Sequence, residues 1–340
     1  MKAFTDDRQQ AHAPQSALNL GVMRPSREAP ERITRLRVGA QAAGCQFEAP
    51  PDVGLAPIAA VHSAEYLTFL QTIHARWVAM PGASEQVIPN VHPRARSDSY
   101  PSSPVGLAGY HMADAACPIG AETWEAAYWS AQSTIAGADC VAAGEHHAYV
   151  LSRPPGHHAY ADMAGGFCFL NNAAIAAERL RAAGRRPAIL DIDVHHGNGT
   201  QGIFYHRADV LTVSLHGDPS GFYPFYWGHT QERGQGVGQG WNLNVPLPFG
   251  TGDDAYLTAL DDALARVQAA GADCIVVALG LDASEHDPFQ ALSISTRGFE
   301  RIGAAIAGLG LPLLLVQEGG YLCDALSDNL TAALTGVQSA

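Results

Sequence analysis

The apolar run Ala188-Ile189-Leu190 breaks abruptly into Asp191-Ile192-Asp193-Val194-His195-His196-Gly197. No other stretch of the chain restricts its fold as much. Such a run reads as a strand buried on both faces, at the centre of a parallel sheet, with its carboxyl end open to a site. Side chains alternate along a strand, so Asp193 and His195 are expected to point the same way. Two carboxylates and an imidazole aimed at one spot carry a large desolvation cost unless a cation joins them. A mixed oxygen and nitrogen donor set suits zinc.

Apolar runs and amphipathic helices alternate through most of the chain. Ser63 to Trp77 predicts a helix, with Leu67, Leu70, Ile73 and Trp77 at helical spacing, and Glu122 to Ala143 a longer, alanine-rich one. A strand over Ala148–Leu151, a helix over Ala173–Ala183 stopping at Gly184 and the strand Ala188–Asp193 follow. Next come a strand over Val210–Leu215, a helix over Asp253–Ala270 stopping at Gly271 and a strand over Cys274–Leu279. The helix Arg297–Ala307 and the strand Leu311–Val316 complete the series. This order predicts an α/β fold of right-handed βαβ units, one central parallel sheet flanked by helices on both faces. With 340 residues, 47% of them hydrophobic, and no break in composition, the chain reads as a single domain over 1–340.

Two segments depart from the pattern. Residues 78–120 hold six prolines and little periodicity, which predicts a long loop excursion of the kind that serves function. Residues 217–240 hold seven glycines and the aromatic cluster Phe222, Tyr223, Phe225, Tyr226, Trp227. Their last glycines run into the strand pattern Trp241–Val245 and not into a helix start, which excludes a dinucleotide loop.

Charge and cysteines narrow the class. A net charge of −13 argues against a nucleic-acid partner. The single lysine, Lys2, excludes an interior Schiff-base or phosphate-loop lysine. No apolar run is long enough to span a bilayer, and Met1 to Gln10 lacks the apolar core of a signal peptide, so a cytoplasmic protein without a membrane partner is expected. The six cysteines (45, 117, 140, 168, 274, 323) form no paired motif, which argues against a disulfide framework or thiolate zinc.

Three further strand ends carry unusual polar residues: Ser152-Arg-Pro-Pro-Gly-His-His158, Gly280-Leu-Asp282 and Gln317-Glu-Gly-Gly-Tyr321. In open parallel sheets, ligands bind outside the carboxyl ends of the strands, so all four endings aim at one crevice. Asp193, His195 and Asp282 make a three-ligand metal site with room for water and a substrate oxygen; the set accepts zinc or ferrous iron. His157 and His158 offer acid–base catalysis, and Asp191 suits orienting and charging a histidine. Tyr321, beside the close-approach glycines Gly319 and Gly320, suits donating to an oxyanion. These parts describe metal-assisted hydrolysis of an amide.

Arg153-Pro-Pro-Gly-His-His158, Gly165-Gly-Phe-Cys-Phe-Leu-Asn-Asn172, Asp191 to Gln201, Gly280-Leu-Asp282 and Glu318-Gly-Gly-Tyr321 occur in the order seen in the histone deacetylase superfamily, which the chain resembles almost throughout, from Met1 to Asp7 onward. His216 to Pro219 and Ala121 to Ala127 resemble motifs of the bacterial acetylpolyamine amidohydrolases, relatives of the class II histone deacetylase-like amidohydrolases. The resemblance implies an arginase/deacetylase-like fold and one catalytic zinc on Asp193, His195 and Asp282. It implies His158 as general base and acid, and His157 as its electrostatic partner held by Asp191. Asn198 stands where some members place an aspartate behind the second histidine. Phe167 and Tyr223, with the backbone of Gly166 and Gly319, would line the substrate tunnel. A structural potassium is implied near Asp191, Asp193, His195, Ser214 and Leu215, and a second on carbonyls around Phe204, Arg207 and Val210.

Segment 78–120 resembles the insertion through which the polyamine enzymes dimerise and narrow their entrance, which implies a homodimer or a dimer of dimers. A narrowed entrance disfavours a folded protein substrate. Where polyamine enzymes place acids in this insertion, the chain has Val105 and Ala116, with Glu122, Asp114 or Asp98 as substitutes. Acetylpolyamines and neutral alkyl or aryl amides both remain open as substrates, and the two neutral residues favour the neutral amides.

Overall fold

The computed structural model describes residues 1–93, 95–96 and 98–340. The first part of the chain builds β1 (Lys2–Phe4), β2 (Ser16–Asn19), β3 (Val22–Pro25), α1 (Glu31–Ala42), β4 (Gln46–Glu48), α2 (Ala56–Ala59), α3 (Ala64–Val78) and α4 (Pro104–His111). The rest builds α5 (Thr123–Ala142), β5 (His147–Val150), α6 (Asn172–Ala182), β6 (Pro187–Asp191), α7 (Asn198–Phe204), β7 (Leu211–Gly217), β8 (Asn242–Leu247), α8 (Asp253–Ala269), β9 (Cys274–Leu279), α9 (Thr296–Ala307), β10 (Leu313–Gln317) and α10 (Leu326–Ser339).

Eight strands form one wholly parallel sheet in the order β4-β1-β5-β10-β9-β6-β7-β8. Alternate side chains of one strand go to opposite layers. Ile189 and Val276 join a core with Leu70, Ile73, Ile135 and Ile175 of α3, α5 and α6. Leu190, Ile275 and Val277 join the other, with Leu36, Leu260, Ile302 and Leu330 of α1, α8, α9 and α10. Burial on both faces is why the central strands read as unbroken apolar runs. Each such side chain contributes about 1.5–3 kcal/mol on leaving water. Helix ends follow local chemistry: the Ser63 hydroxyl accepts the Tyr66 N–H at 3.2 Å to start α3, and the Asn171 side chain accepts the Ala174 N–H at 2.9 Å to start α6.

Three expectations need correction. Segment 78–120 is not a featureless loop. It carries α4, started by the Ser103 hydroxyl and by Pro104 in the first turn, where a missing N–H costs nothing. An antiparallel bridge between Val87 and Ile119 closes it, and Leu107, Met112 and Cys117 are buried in the core. Secondly, β6 ends at Asp191, so Asp193 and His195 lie in the turn beyond it, and hydrogen bonds of that turn bring them together, not the pleat. Thirdly, β10 starts at Leu313, two residues after the apolar run begins. The hairpin β2–β3 and helices α1, α7 and α10 lie outside the expected elements, although α1 and α10 each bury one face at helical spacing, Ile33, Leu36 and Ala40 in the first and Leu326, Leu330, Ala333 and Val337 in the second.

Strands β5, β10, β9 and β6 are neighbours. Residues 151–158, 318–321, 280–287 and 192–198, far apart in the chain, therefore emerge along one carboxyl edge.

Candidate active site

At that edge Asp193, His195 and Asp282, all buried, each place one donor atom within 4.8 Å of the others. Nδ1 of His195 lies 3.2 Å from Oδ1 of Asp193 and 3.1 Å from Oδ2 of Asp282. Backbone donors aim the carboxylates. The N–H of Gly319 donates to Oδ2 of Asp193 at 2.7 Å, and that of Val194 donates to Oδ1 of Asp282 at 3.0 Å. A Cβ at residue 319 would collide with both carboxylates, so glycine is required there. Three buried donors at this spacing, two of them carboxylates, fit a divalent metal ion with open coordination positions. Gly319 thus lies directly against the carboxylates of the donor set.

The two histidines have opposite surroundings. His157 Nδ1 donates to Oδ2 of Asp191 at 2.9 Å, and its Nε2 lies 3.7 Å from Asp193. Burial pushes this imidazole down, but the carboxylates of Asp191 and Asp193 outweigh it and raise it to about 10. His158 instead donates from Nδ1 to Oδ1 of Asn198 at 2.7 Å. Burial, together with the neighbouring His157 and His195, holds it well below the usual histidine range. The two rings, 3.9 Å apart, thus have environments that favour opposite protonation states, the carboxylates favouring charge on His157 and the neighbouring rings opposing it on His158.

Tyr321 arrives on the loop after β10, its ring edge-on to Phe289 at 4.9 Å and 5.9 Å from Phe167. Burial holds its phenol protonated, well above its usual range. The loop is braced from beneath by Arg32 of α1, which donates to the carbonyls of Gly320 and Glu318 at 2.7 Å each and lies over the Tyr321 ring. Glu28 pairs with Arg32 at 2.6 Å and with Arg153 at 2.8 Å, all three buried. The carboxylate of Glu318 accepts the backbone N–H groups of Gly156 and His157 at 2.5 and 3.0 Å, tying the tyrosine loop to the histidine loop.

Aromatic rings surround this cluster. Phe222 stacks on His195 at 4.6 Å, Phe289 meets His195 edge-on at 4.9 Å, and Tyr223 meets His158 edge-on at 4.8 Å. Phe167 sits at φ 71, a left-handed conformation that a bulky residue seldom adopts. Asp114 reaches this wall: its Oδ2 accepts the Tyr223 hydroxyl at 2.7 Å and the Gly166 N–H at 3.2 Å. Val105 is half-buried at the start of α4, and Ala116 is half-buried beside Asp114, whereas Glu122 and Asp98 are exposed.

Ser214 pairs with Asp191 across β6 and β7, and its hydroxyl bonds His216 at 2.8 Å; Leu215 follows, buried. Phe204 and Val210 are buried near the end of α7, where the Phe204 carbonyl accepts the Arg207 N–H. The Arg207 guanidinium itself is engaged by Asp209 and Glu178. Sequence reasoning missed Arg32, Phe222, Phe289 and Asp287. Only the i,i+4 pair Glu28/Arg32 and the aromatic run at 222–227 left a readable trace.

The strand order, the four strand-end loops and the buried Asp-His-Asp set beside a histidine pair define an α/β hydrolase of the arginase/deacetylase-like class. The chain belongs to the histone deacetylase family, whose Histone deacetylase domain matches residues 26–337. It falls in the amidohydrolase branch of that superfamily, whose members depend on a metal. It is 46% identical to an acetylpolyamine amidohydrolase of Burkholderia pseudomallei, over 96% of both chains, and 42% identical to one of Mycoplana ramosa, over 98% of both. The crystal structure of an acetylpolyamine aminohydrolase from Burkholderia pseudomallei superposes with a TM-score of 0.95 over 99% of this chain and 98% of that one, at 46% identity.

Proposed function

We propose that the protein is a zinc-dependent deacetylase of small N-acetylated amines, with acetylated polyamines as its substrate class. The observation that carries this reading is a pair of adjacent buried histidines, one held by the Asp191 carboxylate and the other by the Asn198 amide, beside a buried Asp-His-Asp donor set. Asp193, His195 and Asp282 would hold the zinc ion, which would supply Lewis acidity toward the substrate carbonyl and toward water. His158, with its proton on Nδ1 and Nε2 bare, accepts the proton of the attacking water and returns it to the leaving amine. His157, kept charged by Asp191, stabilises negative charge as it develops. The phenol of Tyr321 donates to the oxyanion of the substrate carbon. Phe167, Tyr223 and the Gly166 backbone pack the flat amide.

The half-buried carboxylate of Asp114 on the tunnel wall supports a cationic substrate, in the role vacated at Val105 and Ala116. The names of the relatives point the same way. A second reading, a neutral alkyl or aryl amide, is favoured by Val105 and Ala116 themselves and by the apolar rings of Phe167, Phe222 and Phe289. Ferrous iron suits the donor set as zinc does. Structural potassium at Ser214 and Leu215 with Asp191, and at the carbonyls near Phe204, Arg207 and Val210, belongs to the same proposal. So does a homodimer through segment 78–120, whose Val78, Val91 and Tyr100 stand exposed. Six free cysteines suit the reducing cytoplasm, and among the described residues no helix is long and apolar enough to cross a membrane.

The test compares kcat/KM for a mono-N-acetylated diamine and a neutral acetanilide of similar size, before and after chelation. A preference for the diamine of about tenfold or more, about 1.4 kcal/mol, supports the polyamine reading. An equal or reversed preference transfers the enzyme to neutral amides, and full activity without metal overturns both.

A further inference from the structure

A phenol that must meet a developing charge needs a fixed backbone beneath it, and Tyr321 sits on a glycine-rich loop. Gly320 takes φ 109, a conformation that leaves the loop intrinsically free to choose other paths. The peptide unit joining Gly320 to Tyr321 is nevertheless held at both ends. Its carbonyl accepts Nε of Arg32 at 2.7 Å, and its N–H donates to Oδ2 of Asp287 at 2.9 Å. Asp287 is 1% exposed, and its other oxygen accepts the N–H of Phe289 at 2.9 Å. One buried carboxylate thus joins the loop after β9 to the loop after β10. The two residues it holds pack their rings edge-on at 4.9 Å, and Phe289 in turn meets His195.

We propose that Asp287 is a positioning residue for Tyr321: by fixing the plane of the Gly320–Tyr321 peptide it sets where the phenol hydroxyl lies. The proposal rests on the reading of Tyr321 as oxyanion donor. A carboxylate suits the task because both of its oxygens accept, and two N–H groups converge on it. An asparagine offers one accepting oxygen and an NH2 that must face a donor, so one of the two bonds is lost at nearly constant volume. Losing the Tyr321 bond frees the peptide plane; losing the Phe289 bond frees the ring against which the tyrosine leans.

The test is a double-mutant cycle between Asp287→Asn and Tyr321→Phe, with kcat, KM and bound metal measured on each purified protein. In the wild-type background, Asp287→Asn is expected to lower kcat by about ten- to a hundredfold, the scale of an ångström-sized misplacement, with KM within about twofold and metal content unchanged. In the Tyr321→Phe background, where no hydroxyl remains to misplace, the same change should alter kcat by less than about twofold. A loss of equal factor in both backgrounds, or a loss of metal, overturns the proposal while leaving Tyr321 in its role. Near-native turnover in Tyr321→Phe alone removes the tyrosine reading and this proposal with it. If Asp287→Asn does not accumulate folded, Asp287→Ser, which keeps a single small acceptor, enters the same cycle with the same expectations.

Discussion

The Oδ1 of Asn198 accepts Nδ1–H of His158 at 2.7 Å, and its Nδ2 donates to the Tyr160 hydroxyl at 3.2 Å. These partners orient the amide and place the histidine proton on Nδ1, leaving Nε2 as a base. An aspartate at this position would stabilise the imidazolium. Asn198→Asp should therefore move the acidic limb of the kcat/KM profile upward by about one to three pH units, the usual effect of an adjacent opposite charge. An unmoved limb would assign the base elsewhere.

Tyr321→Phe removes one hydroxyl from a buried ring. Turnover should fall by roughly 10²–10³, as on loss of an oxyanion donor, while bound metal and the melting temperature stay at wild-type values. A kcat within about threefold of wild type, less than ~1 kcal/mol in barrier, would make Tyr321 a wall residue.

Asp282→Ala withdraws one of three buried donors and leaves the Val194 N–H without its acceptor. Metal analysis and turnover should fall together, and added zinc should restore neither fully. Retained stoichiometric metal with lost activity would give Asp282 a different part.

Asp114→Asn can keep the bonds from Tyr223 and Gly166 on its one accepting oxygen; it removes the charge and the bond from the Ala116 N–H, a loss felt alike by both substrates. Its kcat/KM should fall about tenfold or more for an acetylated diamine and change little for a neutral acetanilide, a difference of about 1.4 kcal/mol between substrates. Equal losses on both would show that Asp114 shapes the wall and does not read charge.

His62 tests stability at a distance from the chemistry. It is buried, with Nδ1 donating to the Ala161 carbonyl at 3.2 Å and Nε2 accepting the Asn171 N–H at 2.9 Å, and burial lowers it to about 4. The folded protein thus holds a neutral ring down to that pH, whereas the unfolded chain takes up a proton at the ordinary value near 6.5. Its contribution is complete above about 6.5 and is lost as pH falls toward 4, on the order of 3 kcal/mol in all. The urea midpoint should drop between about pH 7 and about pH 5, and His62→Gln should flatten part of that slope. An unchanged slope would mean the ring is not neutral at mid pH.

Most of the architecture was legible. Helices α3, α8 and α9 bury one face at helical spacing, α5 and α6 are alanine-rich, all five end at glycine or open on a capping residue, and the central strands are apolar runs buried on both sides. Helix α4 was hidden by the prolines around it. The short α7 was obscured by its glycines, Gly199 and Gly202. In the site, Asp193, His195, Asp282, His157, His158 and Tyr321 stood out because acids and histidines are rare directly after apolar strands. Arg32 and Asp287 did not, because each gains its place from a partner 288 or 34 residues away, and Asp114 could not be told from Glu122 and Asp98, because its partner Tyr223 lies 109 residues away.

The amino-acid sequence by itself determined which donors stand at which strand ends, and with them the class of chemistry, because periodicity and residue type act over a few neighbouring residues. Only the tertiary structure decided that β5, β10, β9 and β6 lie side by side, so that four separate endings share one edge. It also decided that one histidine faces a carboxylate and its neighbour an amide, and that Asp114 accepts the Tyr223 hydroxyl and the Gly166 N–H. Strand order depends on how helices on both faces pack across the whole sheet, a global balance of buried surface that no local stretch of sequence encodes.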